Sequence, residues 1–140
     1  MEIKNVKSLE EFNKNKAVRK VPVMTDDLSI ALLFIDSNTE MPALFHKKIE
    51  KVHYIIKGEG KLNIGKESKK VKDGMLIRIP KNKLYYYTTF TKRMVILSIG
   101  PIGTNNSMIS ALDVDALMDR GVRRDQGLGD PEGDVYDKVG

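Results

Sequence analysis

The stretch FHKKIEKVHYIIKGEGKLNIG, residues 45–65, decides the fold. Its middle, KVHYIIK (51–57), is a short run rich in β-branched and aromatic residues. Gly58-Glu59-Gly60 then supplies turn chemistry, and KLNIG (61–65) resumes the extended pattern. The simplest reading is two strands joined by a tight turn. The stretch also holds both histidines of the chain, His46 and His53, with Glu50 between them. It is therefore either a metal motif, the remains of one, or a strand that contains histidines.

Similar runs lie on either side. AVRKVPVM (17–24), SIALLFID (29–36), MLIRIP (75–80), LYYYTTF (84–90) and RMVILSIG (93–100) are separated by short Asp, Gly, Asn and Lys segments. Short strands at regular spacing with turn chemistry between them predict an all-β sandwich or barrel over residues 17–100. Residues 1–16 form an N-terminal segment in which SLEEF (8–12) reads as a short helix, with Ser8 as N-cap and Glu11 at the capping-box position. Residues 101–140 read as a C-terminal helix and an acidic tail. Met108, Ile109, Leu112, Ala116 and Leu117 fall near one helical face, and Gly121 is a plausible stop. The Gly/Asp-rich remainder has no period and reads as a loose tail, in which the Val135-Tyr136 pair is a candidate anchor.

Composition narrows the function classes. At 140 residues with 41% hydrophobic content the chain fits one packed domain. Having no cysteine, it has no disulfide, thiolate metal site or cysteine nucleophile. No apolar h-region opens the chain, and its longest apolar run, IALLFI (30–35), is too short to span a bilayer. The expectation is a soluble cytoplasmic protein with no membrane partner. Charge is uneven: residues 1–100 carry 20 Lys/Arg and 11 Asp/Glu, residues 101–140 carry 4 and 8. A basic body attracts anions, but no nucleic-acid motif accompanies it, so nucleic acid is not an expected partner.

PALFHKKIEKVHYIIKGEGKLNIG (42–65) followed by VKDGMLIRIPKNKLYYYTTF (71–90) resembles the two consecutive motifs of the cupin superfamily. The strongest parts are GEGKLNIG after an aromatic-aliphatic strand and the Gly74-to-Pro80 spacing. The resemblance implies a double-stranded β-helix, a jelly-roll barrel enclosing a ligand cavity and often a homodimer. The family's metal-ligand positions carry over poorly. Counting back from Gly58, the ligand Glu falls on Lys51, the second His on His46 and the first on Leu44. Counting forward from Gly74, Pro80 matches, Asn82 replaces a Gly and Tyr85 replaces the last His.

A protonated Lys repels a cation and Leu cannot ligate, so no tightly bound metal or other cofactor is expected. One register slip would change this. A β-bulge before Gly58 would bring Glu50 inward in place of Lys51, making His46 and Glu50 the divalent-metal ligands. Plain alternation favours the slip, since Val52, Tyr54 and Ile56 form the strand's apolar parity. The two registers remain open at this point.

In the family register His46, Lys51, His53, Tyr85 and Tyr87 face the interior together. His46, Lys51 and Tyr85 then form a candidate acid/base set, with His53, Tyr87 and Arg78 as candidate substrate contacts. Burial disfavours a charged lysine, so Lys51 can act as a base or a carbonyl-capturing amine. The expected function is binding of a small anionic molecule, as a metal-independent isomerase or lyase acting on a carbonyl or sugar-like compound. The alternatives are a non-catalytic ligand-binding or sensing cupin and a metal-dependent enzyme using His46 and Glu50.

Overall fold

A computed structural model describes residues 1–39, 41–90, 92–102, 108–109 and 136–138. Two facing sheets make the barrel. The first is built from β1 (Val18–Met24), β2 (Leu28–Ile35), β4 (Lys51–Lys57), β7 (Leu76–Ile79), β9 (Met94–Pro101) and β11 (Tyr136–Lys138), in the order β11-β1-β2-β9-β4-β7. The second holds β3 (Leu44–His46), β5 (Glu59–Ile64), β6 (Glu67–Lys72), β8 (Leu84–Thr89) and β10 (Met108–Ile109), in the order β10-β3-β8-β5-β6. Every pairing is antiparallel except β1 with β11, which is parallel.

Strand alternation sorts the side chains into two layers. Leu33, Ile35, Ile55, Leu62, Ile79, Tyr85, Tyr87, Met94 and Ile96 meet between the sheets. On the outer side of β1, β2 and β9, a second cluster of Val18, Leu32, Phe34 and Val95 is covered by Val6, Leu9 and Phe12 of the N-terminal segment. Phe12 meets Phe34 edge-on at 5.7 Å, and the Arg93 guanidinium lies 4.3 Å above the Phe12 ring. This explains the unbroken apolar run of β2: both of its faces are buried. Burying one such Phe contributes about 2–3 kcal/mol.

The glycine turn seen in the sequence is where the sheets connect. Gly58 has φ +90°, a conformation that L side chains rarely adopt, and its missing Cβ makes room for the Arg93 carbonyl. Pro22, which has no N–H to give the ladder, lies where the β1–β2 register shifts.

Several local expectations are corrected. The helix is α1 (Val6–Leu9), not 8–12, because Asn5 takes the N-cap position and its Oδ1 accepts from Ser8 N at 3.2 Å. Met108 and Ile109 do not start a helix; they pair in β10 with His46 and Phe45. The rest of the expected helix, up to Gly121, lies outside the described residues. Tyr136 enters β11, with its backbone beside Val18, so that part of the tail is tied into the barrel. Among the described residues no helix is long and apolar enough to cross a membrane.

Candidate functional site

β4 is inverted relative to the usual amphipathic strand. Its apolar parity faces out, with Val52 and Tyr54 exposed, while Lys51 and His53 are buried. A register shift is present between Ile55 and Lys57, the kind of bulge that the slipped reading needs. It does not bring Glu50 inward. Lys51, His53 and Ile55 line the interior, whereas Glu50 is half exposed and pairs with Arg78 at 2.5 Å outside the barrel. The reading of Glu50 as a metal ligand is therefore corrected. Arg78, 67% exposed, is likewise not brought to the interior group, because it stands opposite outward-facing Val52 in the β4–β7 ladder.

The other five candidates converge. His46 sits at the end of β3, where the Asn82 backbone N–H donates to its carbonyl at 2.8 Å. Asn82 has φ +61° and its Oδ1 accepts from Lys48 N at 3.0 Å. Asn tolerates this left-handed conformation better than most residues, which is why it can stand where the family motif has Gly. Tyr85 and Tyr87 are buried in the interior cluster from β8, and the partly buried Tyr86 between them packs on Ala43 and Leu84. His46 Nε2 lies 2.7 Å from Tyr85 Oη, and His53 Nδ1 lies 2.7 Å from Tyr87 Oη. The rings reinforce the pairing: His46 stacks on Tyr85 with centroids 5.4 Å apart, and His53 on Tyr87 at 5.8 Å.

Phenol is the stronger acid and imidazole the stronger base, so we assign the tyrosines as donors. Each neutral imidazole then carries its proton on the other nitrogen. Those nitrogens, His46 Nδ1 and His53 Nε2, are buried and have no hydrogen-bond partner.

Sequence reasoning missed Arg19. It is buried at 8% exposure on β1, on the parity of Ala17 and Val21, and its charge is felt by His46, Lys51, His53 and Tyr85. The pattern Ala17-x-Arg19-x-Val21 was the available signal, masked by the neighbouring Lys20. Ser98, also buried, stands opposite His53.

Electrostatics follow from this crowding. Burial, together with the positive charges of Lys51 and Arg19, lowers His46 from 6.5 to about 3. Burial lowers His53 to about 3 as well, helped by His46, Lys51 and Arg19. Burial and Arg19 lower Lys51, while burial raises Tyr85 and Tyr87. The imidazoles are neutral and the phenols protonated at pH 7.

This donor set does not fit a divalent transition metal. Two cationic side chains adjoin the imidazoles, and no group of three His, Asp or Glu side chains is placed to hold an ion among the described residues. Two surface depressions lie elsewhere. One, of about 500 Å³, is at the turn residues Gly58, Glu59 and Asp73; the other, of about 250 Å³, is beside Leu62, Val71 and Met75. Neither is lined by the His–Tyr pairs.

Comparison with known proteins agrees on architecture. A scan against family models finds no match. An uncharacterised protein of Aquifex aeolicus (strain VF5) is 30% identical over 102 residues, covering 69% of this chain and 83% of that one. Among solved structures, an uncharacterised conserved protein with a double-stranded β-helix domain from Klebsiella pneumoniae superposes with a TM-score of 0.71. It is 15% identical, over 78% of this chain and 96% of that chain. A cupin superfamily protein from Desulfitobacterium hafniense superposes with a TM-score of 0.59, at 17% identity, over 69% of this chain and 86% of that one. The chain has the double-stranded β-helix fold found in the cupins. In this barrel the interior wall carries two His–Tyr pairs, a lysine and an arginine.

Proposed function

We propose that this cupin binds a small organic anion in its barrel interior, without a tightly bound metal. The observation that carries the reading is the set of unanswered donors. His46 Nδ1 and His53 Nε2 are buried without partners, and the buried Lys51 lies beside them. A buried donor without a partner costs about 1–3 kcal/mol. A carboxylate or similar anion accepts from all of these groups at once, and Arg19 adds positive charge beside them. The reaction supported best is proton transfer on a small anionic carbonyl or sugar-like compound, as in an isomerase or lyase. Tyr85 presents a proton through its 2.7 Å contact with His46, and Lys51 is the adjacent amine.

A second reading, binding or sensing without turnover, is favoured by one observation. Imidazoles with pKa near 3 are weak bases at neutral pH. One experiment separates the two. A panel of small carboxylates, sugar acids and phosphates is screened by thermal unfolding, and each stabilising compound is then followed by NMR for conversion. Stabilisation that is lost in Lys51→Met supports binding, and conversion that is lost in Tyr85→Phe supports catalysis. No stabilisation by any anion would contradict both readings.

A homodimer is the assembly we propose. Val52, Tyr54, Leu76 and Ile99 are exposed on adjacent strands β4, β7 and β9 and form an apolar strip on the outer face. Light scattering is expected to give a dimer, and Tyr54→Lys/Leu76→Lys a monomer.

A further inference from the structure

The anion reading leaves Lys51 as more than a positive charge. Resting on that reading, we propose that Lys51 forms an imine with the keto group of a small 2-oxo carboxylate bound at the polar end of the barrel. Three features of the geometry point to this.

Lys51 is the one buried lysine among the described residues, at 6% exposure. Lysine stems normally run along apolar surface and release the ammonium to water. Here the stem turns inward, from a strand whose outward positions are apolar.

Its path is also reserved. A Cβ at Gly100 would overlap Lys51 Cδ and lie 3.1 Å from both Lys51 Cε and the Glu50 carbonyl. Gly100 thus leaves open the space that the lysine chain occupies. A lysine serving only as solvated charge needs no such channel.

The neighbours suit the chemistry. Lys51 and His53 lie on the same face of β4, two residues apart. The unpartnered His46 and His53 nitrogens can donate to the carboxylate, Arg19 adds positive charge to their surroundings, and the Tyr85 hydroxyl lies 2.7 Å from His46. Burial and the Arg19 charge favour the neutral, nucleophilic amine.

The step balances without an oxidant or reductant. The Nζ lone pair attacks C2 of the 2-oxo acid and the C–N bond forms. The carbonyl π pair moves to oxygen, which takes a proton, while the nitrogen loses one, giving the carbinolamine. The C–O bond then breaks, oxygen leaves as water with a further proton, the nitrogen lone pair closes the C=N bond, and the iminium nitrogen gives up its remaining proton. Amine plus ketone becomes imine plus water.

The test is reductive trapping. The full chain is incubated with pyruvate and sodium cyanoborohydride, then analysed by intact mass and peptide mapping, alongside a thermal-unfolding series with pyruvate alone. We expect one dominant adduct, mapped to Lys51 and absent from Lys51→Arg. Gly100→Ala, which displaces the lysine stem, is expected to slow adduct formation roughly ten- to a hundredfold. Pyruvate-dependent stabilisation with no adduct at Lys51 would overturn the imine and leave the anion reading standing. Adducts spread over surface lysines with no excess at Lys51 would also overturn it. Neither stabilisation nor adduct would overturn both.

Discussion

At one end of the barrel interior the buried polar groups close on one another. Thr89 Oγ1 donates to the Asp36 carbonyl at 2.8 Å and accepts from the Thr39 backbone N–H at 3.1 Å. At the rim of this end the half-exposed Arg93 donates from Nε to Asp36 Oδ1 at 3.1 Å. At the other end His46 and His53 each satisfy one nitrogen with a tyrosine and leave the other without a partner, beside Lys51 and Arg19. Both ends are buried, and in such an interior a satisfied group rigidifies while an orphaned one destabilises. The first end reads as structure and the second as a site that gives up stability for a ligand.

The largest expected effect separates the ends by pH. The histidines have folded pKa values near 3 against 6.5 for the ordinary group, so between these values the unfolded chain binds protons that the folded chain refuses. Their contribution is fully present above about pH 6.5 and is lost as pH falls toward 3. Between pH 7 and pH 5 the unfolding free energy should drop by roughly 2–4 kcal/mol, measured by urea denaturation. His46→Gln/His53→Gln should flatten that window. The closed end acts lower. Burial pushes the Asp36 carboxyl up, but Arg93 and Ser37 outweigh it and hold it below 3.8. Its contribution is present above 3.8 and is lost only as pH falls further.

Next in size, Thr89→Val should cost about 2 kcal/mol in the same assay, because it removes hydrogen bonds to the buried backbone of Asp36 and Thr39, which among the described residues keep only their 3.2 Å bond to each other. Tyr85→Phe should cost about 1–2 kcal/mol, since His46 loses its remaining partner. The double variant His53→Leu/Tyr87→Phe should change stability by less than about 1 kcal/mol, because it removes an orphaned nitrogen together with its paired group. A loss as large as that of Thr89→Val would erase the distinction between the ends. Smallest of all, Arg78→Ala breaks an exposed ion pair and should stay within about 0.5 kcal/mol.

The fold was legible because turns carry much of its information. Gly58 and the Gly74-to-Pro80 spacing mark where strands must reverse, and the two faces of β2 are written in its continuous apolar run. The missing strands had weak local signals. β6, ESKKVK, places a single buried side chain, Val71, on an edge strand whose lysines face solvent. β3 has only three residues. Within the site, the shared inward position of His46, His53, Tyr85 and Tyr87 followed from counting against the glycines, while their pairing came only from the structure. The choice between Glu50 and Lys51 did not. Alternation reports which face is apolar, not which face is inside, and in β4 the apolar face is the outer one. Arg19 escaped notice because a buried cation between Val18 and Lys20 looks, in sequence, like an exposed one.

The most direct measurement is an imidazole nitrogen NMR titration. The chain has two histidines, so single variants assign both signals. In free protein at pH 6 the account predicts two neutral imidazoles that do not titrate down to pH 5. Both should shift saturably when a small organic carboxylate is added. Histidines that titrate near 6.5 in the free protein and ignore every anion in the panel would contradict the claim that this end of the barrel is built to receive one.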